Sequence, residues 1–254
     1  MTSKTQSRLS LAKVFWLEQT CVDLPQDDDW FSSGETARLN ALRIPKRRAD
    51  WRLGRWTAKR AVSICLNAPG PTRTLAAIEI RSAASGAPEV FLDNQPAAVT
   101  ISLSHSNGTA LCAVAPPGTE LGCDLEIIEP RSEAFVADYF TSDEQVLIAR
   151  ASEADRPRLS TLFWSAKESA LKALREGLRL DTRSVTVSLP ESAPPSADEM
   201  PTVLTVTECR SIWHPLQVHC ASGQVFYGWW GQTGNLLQTV VAAPAPARPI
   251  LLQV

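Results

Sequence analysis

At 254 residues the chain is long enough for one large domain or two compact halves, and its 44% hydrophobic content is ample for a packed core without covalent staples. With 25 Lys and Arg against 27 Asp and Glu the formal charge is -2, which excludes a global basic field drawing nucleic acid or a membrane surface, so anion binding must be local. Six cysteines show no CxxC pair and no metal-ligand spacing, and no stretch approaches the ~20 apolar residues of a membrane span or forms an apolar leader. The composition is that of a cytoplasmic protein with free thiols and no membrane or nucleic-acid partner.

Residues 1–10 are polar and expected to fray, and LAKVFWL (11–17) reads as a first strand. After an acidic loop, Ser33 is placed to cap a helix running to about Leu42, and a longer helix follows Pro45 to about Leu66. APGPTRT is a turn, AAIEIRSA a strand, and SGAPEVFLDNQPA a Gly/Pro-rich excursion. VTISLSHS, ALCAVAP and ELGCDLEII read as successive strands. Beyond Pro130 come two short helices, the second opened by a capping box from Ser142 to Gln145, and then RLSTLFWSAKESALKALREG, a strong helix ending at Gly177. SVTVSL is a strand, 190–201 a loop, and TVLTVTEC, LQVHC, VFYGWW and NLLQTVVA complete a strand-rich end, with Ser222-Gly223 suited to a hairpin. The order fits an α+β chain of two halves, 1–119 and 120–243, with a Pro/Ala-rich tail at 244–254. No internal repeat is visible, so likeness between the halves must be structural.

Side chains two apart on a strand share a face, so Asp124 and Glu126 of GCDLE present two carboxylates together on a strand otherwise flanked by Leu and Ile. Like charges that close are costly unless a divalent cation relieves them, and oxygen ligands without Cys or His favour Mg²⁺ over zinc. Alone, DxE is also what a solvated strand end looks like. Glu168 and Lys172 stand one turn apart on the strong helix, which is also what an ordinary helix-stabilising pair looks like.

In RRADWRLGRWTAKR, the residues Arg48, Arg52, Arg55 and Lys59 fall at i, i+4, i+7 and i+11, within roughly 60° of the helix circumference. Such a ridge repels itself unless it meets a polyanion or is paired at the surface. Gly54 within it hints at close approach by a backbone or ligand. Ser102, Ser104, His105 and Ser106 of ISLSHS run into an Asn107-Gly108 turn and offer donors for a phosphate.

Taken in order, the RRADWRLGRWTAKR helix, SLSHS, GCDLE and WSAKESALK resemble the 4'-phosphopantetheinyl transferase superfamily, in its larger, single-chain, surfactin-activating branch; GAP and FTSDE add to the likeness. The resemblance covers about 45–187. It implies two similar α+β halves related by pseudo-two-fold symmetry, with the active site in the cleft between them. It implies Mg²⁺-dependent transfer (with Mn²⁺ able to substitute) of the phosphopantetheine arm of coenzyme A to a serine of an apo acyl, aryl or peptidyl carrier protein. The other product is 3',5'-ADP, and a monomer is expected. Carried over by position, Asp124, Glu126 and Glu168 match magnesium ligands, and Lys172 a lysine near the pyrophosphate. Ser104 and His105 match coenzyme-contacting residues, with Arg48, Arg55 and Lys59 on the nucleotide phosphates and Lys167 also counted with the coenzyme. Glu144 of FTSDE is an acidic position near the metal and, with Glu168, a candidate base. The family often has glycine where Arg175 stands. A non-catalytic module binding coenzyme A or a carrier through the same cleft is the alternative.

Overall fold

The computed structural model of the chain describes residues 11–66, 75–190 and 212–253. The expected fraying of 1–10, the turn at 68–74, the strand at 202–209, Cys209 and nearly all of the 190–201 loop lie outside them.

The N-terminal half opens with β1 (Phe15–Thr20), a few residues later than the sequence pattern indicates. Helix α1 (Ser33–Ala41) is capped by Ser32 rather than Ser33: Ser32 Oγ accepts from Glu35 N at 3.2 Å while Glu35 Oε2 accepts from Ser32 N at 3.0 Å. Pro45 occupies the first turn of α2 (Pro45–Cys65), where its missing N–H costs nothing. The segment expected to be an irregular excursion instead forms strands. β2 (Ile78–Ser82) pairs antiparallel with β3 (Pro88–Leu92), which turns through Asp93 and Asn94, both at positive φ, into β4 (Gln95–Pro96). The hairpin of β5 (Thr100–Ser106) and β6 (Thr109–Ala115), closed by Asn107-Gly108, completes this half.

The C-terminal half repeats the plan. β7 (Glu120–Ile127) is followed by α3 (Glu133–Tyr139), α4 (Ser142–Arg150) and α5 (Arg156–Ala173), and then by β8 (Val185–Ser188), β9 (His214–Cys220), β10 (Val225–Thr233) and β11 (Leu236–Ala243). The expected capping box is one residue out of place: Thr141, not Ser142, caps α4, and its partner is Glu144, not Gln145. Helix α5 ends at Ala173, short of Gly177, because Arg175 already adopts a φ of 59°.

The sheets run β7-β11-β10-β9-β8 and β12-β1-β6-β5, where β12 (Ile250–Leu251) lies parallel to β1. The stretch 245–252 therefore runs along β1 of the N-terminal sheet, and Leu252 is buried in that half's core. Helix α2 packs on one sheet and α5 on the other, each over its own apolar cluster. Between the sheets lies a third cluster, in which Trp16, Leu111 and Ala113 meet Leu121, Cys123 and Leu125. Every residue of β6 is buried, because it is covered on one face by α2 and on the other by the second sheet.

The likeness between the halves extends to sequence at the corresponding helices. Phe31-Ser-Ser-Gly-Glu35 and Phe140-Thr-Ser-Asp-Glu144 open α1 and α4, and Trp56-Thr-Ala-Lys59 and Trp164-Ser-Ala-Lys167 lie on α2 and α5. The repeat is two short strings separated by loops of different length, which is why fixed-period inspection misses it.

Candidate active site at the seam of the two halves

Strand β7 is an edge of its sheet, and β5 is an edge of the other. They meet through side chains rather than a ladder. Ser102 Oγ accepts from Cys123 N at 2.9 Å, and Ser104 Oγ donates to Asp124 Oδ1 at 2.8 Å. The hydroxyls of SLSHS thus satisfy the buried edge of GCDLE that no strand pairs.

Helix α5 packs on β7. Gly122 is obligatory here, since a Cβ on it would stand 1.7 Å from Ser169 O. As expected from strand alternation, Asp124 and Glu126 both face α5. Lys172 Nζ lies 2.7 Å from Asp124 Oδ1 and also donates to Cys123 O at 3.1 Å and Ser104 Oγ at 3.2 Å. Glu126 accepts from Trp164 Nε1 at 3.0 Å and from Arg131 at 3.1 Å.

The three carboxylates feel one another's charge. Burial first, and then the charge of Asp124, pushes the carboxyls of both Glu126 and Glu168 above their ordinary range. Burial pulls the Lys172 ammonium down, but Asp124, Cys123 and Glu168 outweigh it and the net shift is upward. Among the described residues no three such groups already stand at metal-binding spacing, and Lys172 and Arg131 carry the countercharge. The residues nevertheless fit a hard dication. Asp124 Oδ2 is buried without a hydrogen-bond partner among the described residues, and the two glutamates are held above their normal range by burial and by the charge of Asp124.

A cavity of about 750 Å³ opens beside this cluster, and Lys172 and Ser104 belong to its wall. His105 and Arg55 also line it. Sequence reasoning missed Arg38, Arg47 and Arg175, which line it too. The face of α2 that meets the cavity is Arg47, Asp50, Trp51, Gly54 and Arg55, largely one residue out of phase with the ridge through Arg48. Nothing lies within 4 Å of where a Gly54 Cβ would be, so its open side faces this space.

Four assignments need correction. Arg48 is not at the cavity: it donates to Leu39 O at 2.6 Å and closes the end of α1. Lys59 is fully buried, ion-paired with Glu35, and donates to Trp30 O at 2.8 Å and Leu75 O at 3.1 Å, so all its donors are used inside the core. Lys167 is equally buried, 2.8 Å from Glu144, and donates to Thr182 O and Val185 O. Glu144 has no exposure, and its oxygens are taken by Lys167, Thr141 N and Val187 N, leaving no route to a substrate proton. Arg52 of the ridge is likewise spent on Asp28 and the carbonyl of Pro25. Sequence periodicity placed these cations on one face without showing that acceptors from the loops would fold over them.

Residues 120–222 match the model of the 4'-phosphopantetheinyl transferase superfamily. That span carries GCDLE, FTSDE and WSAKES. Over 150 residues the chain is also 27% identical to the 4'-phosphopantetheinyl transferase HetI of Nostoc sp. (strain PCC 7120), a match covering 58% of this chain and 60% of that protein. The α+β architecture agrees with that superfamily. No helix among the described residues is long and apolar enough to cross a membrane.

Proposed function

We propose that the chain transfers the 4'-phosphopantetheine arm of coenzyme A to a serine of an apo carrier protein, releasing 3',5'-ADP, in the manner of the single-chain, surfactin-activating branch. The observation that carries the reading is the seat of Lys172. It joins the wall of the 750 Å³ cavity to Asp124, the one carboxylate among the described residues with a buried, partnerless oxygen.

Asp124, Glu126 and Glu168 are the groups that would hold Mg²⁺, which would neutralise the charge developing on a diphosphate leaving group. Lys172, 27% exposed, has its three N–H groups on Asp124, Cys123 O and Ser104 Oγ, and exchanges the longest of these, to Ser104, for a diphosphate oxygen, with His105 beside it in the cavity wall. Arg47, Arg38 and Arg55 bind the outer phosphate and so govern affinity more than turnover. Glu168, whose raised basicity has burial as its first cause, takes the proton from the carrier serine as its oxygen attacks phosphorus and the bond to 3',5'-ADP breaks.

The test is to incubate the chain with coenzyme A, Mg²⁺ and apo carriers of fatty-acid, polyketide and peptide synthesis, and to weigh each carrier. Addition of one phosphopantetheine arm is expected on at least one. Tight coenzyme binding with no mass gain on any would indicate a binding module instead.

A further inference from the structure

We propose that Thr239 is a positioning residue that fixes the seat of α5 on β7, so that Lys172 and Glu168 meet Asp124; its catalytic consequence rests on the transferase reading above. Thr239 lies on β11 directly opposite Asp124 in the strand register. It belongs to none of the motifs that carry the site. Its Oγ1 is 2.9 Å from Ser165 Oγ and 2.7 Å from Ser169 Oγ, and all three residues have no exposure. Ser169 sits between Glu168 and Lys172 on the helix and makes its second contact with Thr239 O at 3.4 Å. Its own carbonyl lies against Gly122, two residues before Asp124.

The molecule contains its own control. In the N-terminal half, the WTAK string places Thr57 and Ala61 where WSAKES has Ser165 and Ser169. Counting from the two-residue turns, Cys112 is the fourth residue of β6, as Thr239 is of β11, and it faces Leu17 on β1 as Thr239 faces Asp124 on β7. Among the described residues Thr57 bonds only to Leu53 O of its own helix, at 3.0 Å, and Ala61, Cys112 and Leu17 are plain core residues. The same helix-on-sheet packing therefore forms without a hydroxyl strap where no carboxylate is to be met. Apolar contact permits small slides, whereas hydrogen bonds are directional and fix a register. Burying three hydroxyls is sustained only while they satisfy one another.

The experiment compares wild type, Thr239→Val and Thr239→Ser by crystal structure, thermal melting and steady-state kinetics with coenzyme A. In Thr239→Val, Lys172 Nζ is expected to leave Asp124, and kcat to fall about tenfold to a hundredfold with KM for coenzyme A within about twofold. Thr239→Ser is expected to restore both contact and kcat. An unmoved Lys172 in the Val variant, or a loss of kcat that Ser does not restore although it melts like wild type, overturns the proposal. If Val fails to fold, Ser169→Ala, which copies Ala61 of the other half, is judged by the same criteria. The structural arm does not depend on activity: a wild type that transfers nothing counts against the transferase reading, while the position of Lys172 still decides the strap.

Discussion

Lys59 binds Glu35 in one half of the molecule as Lys167 binds Glu144 in the other. Each ammonium is fully buried, and each carboxylate is the third residue of a capped helix. Each carboxylate also takes a strand N–H, Ile80 in one half and Val187 in the other. Burial lowers the basicity of both lysines, against the opposing pull of their partners. These pairs tie a short helix, a long helix and a strand together at one point, and their role is structural.

Glu144→Gln is expected to leave Lys167 charged and unpaired in the core and to lower stability by about 3 to 5 kcal/mol in urea unfolding. Transfer per folded molecule at low temperature should stay near wild type. A stable variant without transfer would return Glu144 to the list of bases.

Lys59→Met should likewise cost stability and leave KM for coenzyme A within about twofold, because the ammonium never reaches the cavity. Arg47→Ala should do the opposite, raising that KM about tenfold at unchanged melting temperature, as expected for a charge-assisted phosphate contact worth about 1.5 kcal/mol. Steady-state kinetics beside thermal melts separate the two.

Asp124→Ala and Glu168→Gln are expected to abolish transfer. Mg²⁺ should raise the melting temperature of wild type in a concentration-dependent way, by mass action, and should not raise that of Asp124→Ala. Near wild-type transfer by Asp124→Ala would remove the metal assignment.

Gly122→Ala places a methyl into Ser169 O, so α5 must lift from β7. Such overpacking should cost about 1 to 3 kcal/mol and, unlike the pair variants, depress kcat at temperatures where the protein is fully folded.

Much of the fold was legible from local chemistry. Pro45 starting α2, the Asn107-Gly108 turn and the alternation in GCDLE each act within a few residues, and the structure has them where the pattern puts them. Strand alternation also puts Asp124 and Glu126 on one face of β7, while the meeting of that face with α5 is a tertiary event. The site was misread where a distant backbone decides. Whether a helix lysine reaches a ligand or a core carbonyl depends on Trp30, Leu75, Thr182 and Val185, whose arrival is a tertiary event. The position of Lys59 between Ala58 and Ala61, with Trp56 one turn away, was the available sign of a core face. The β2–β3 hairpin was obscured because its Gly and Pro sit in the turn and at the strand start rather than within the strands.

The parallel pairing of β12 with β1 means that the polypeptide leaves the second half and comes back to finish the first. The two halves are consequently clasped at both ends, once through the link at Pro116 to Thr119 and again through the returning strand with Leu252 beneath it. A chain cut at the link would yield an N-terminal piece lacking one of its own sheet's strands and a C-terminal piece trailing it. Reassembly of such a pair would then have to occur as strand exchange, with the returning segment serving as the latch that brings Ser104 back to Asp124.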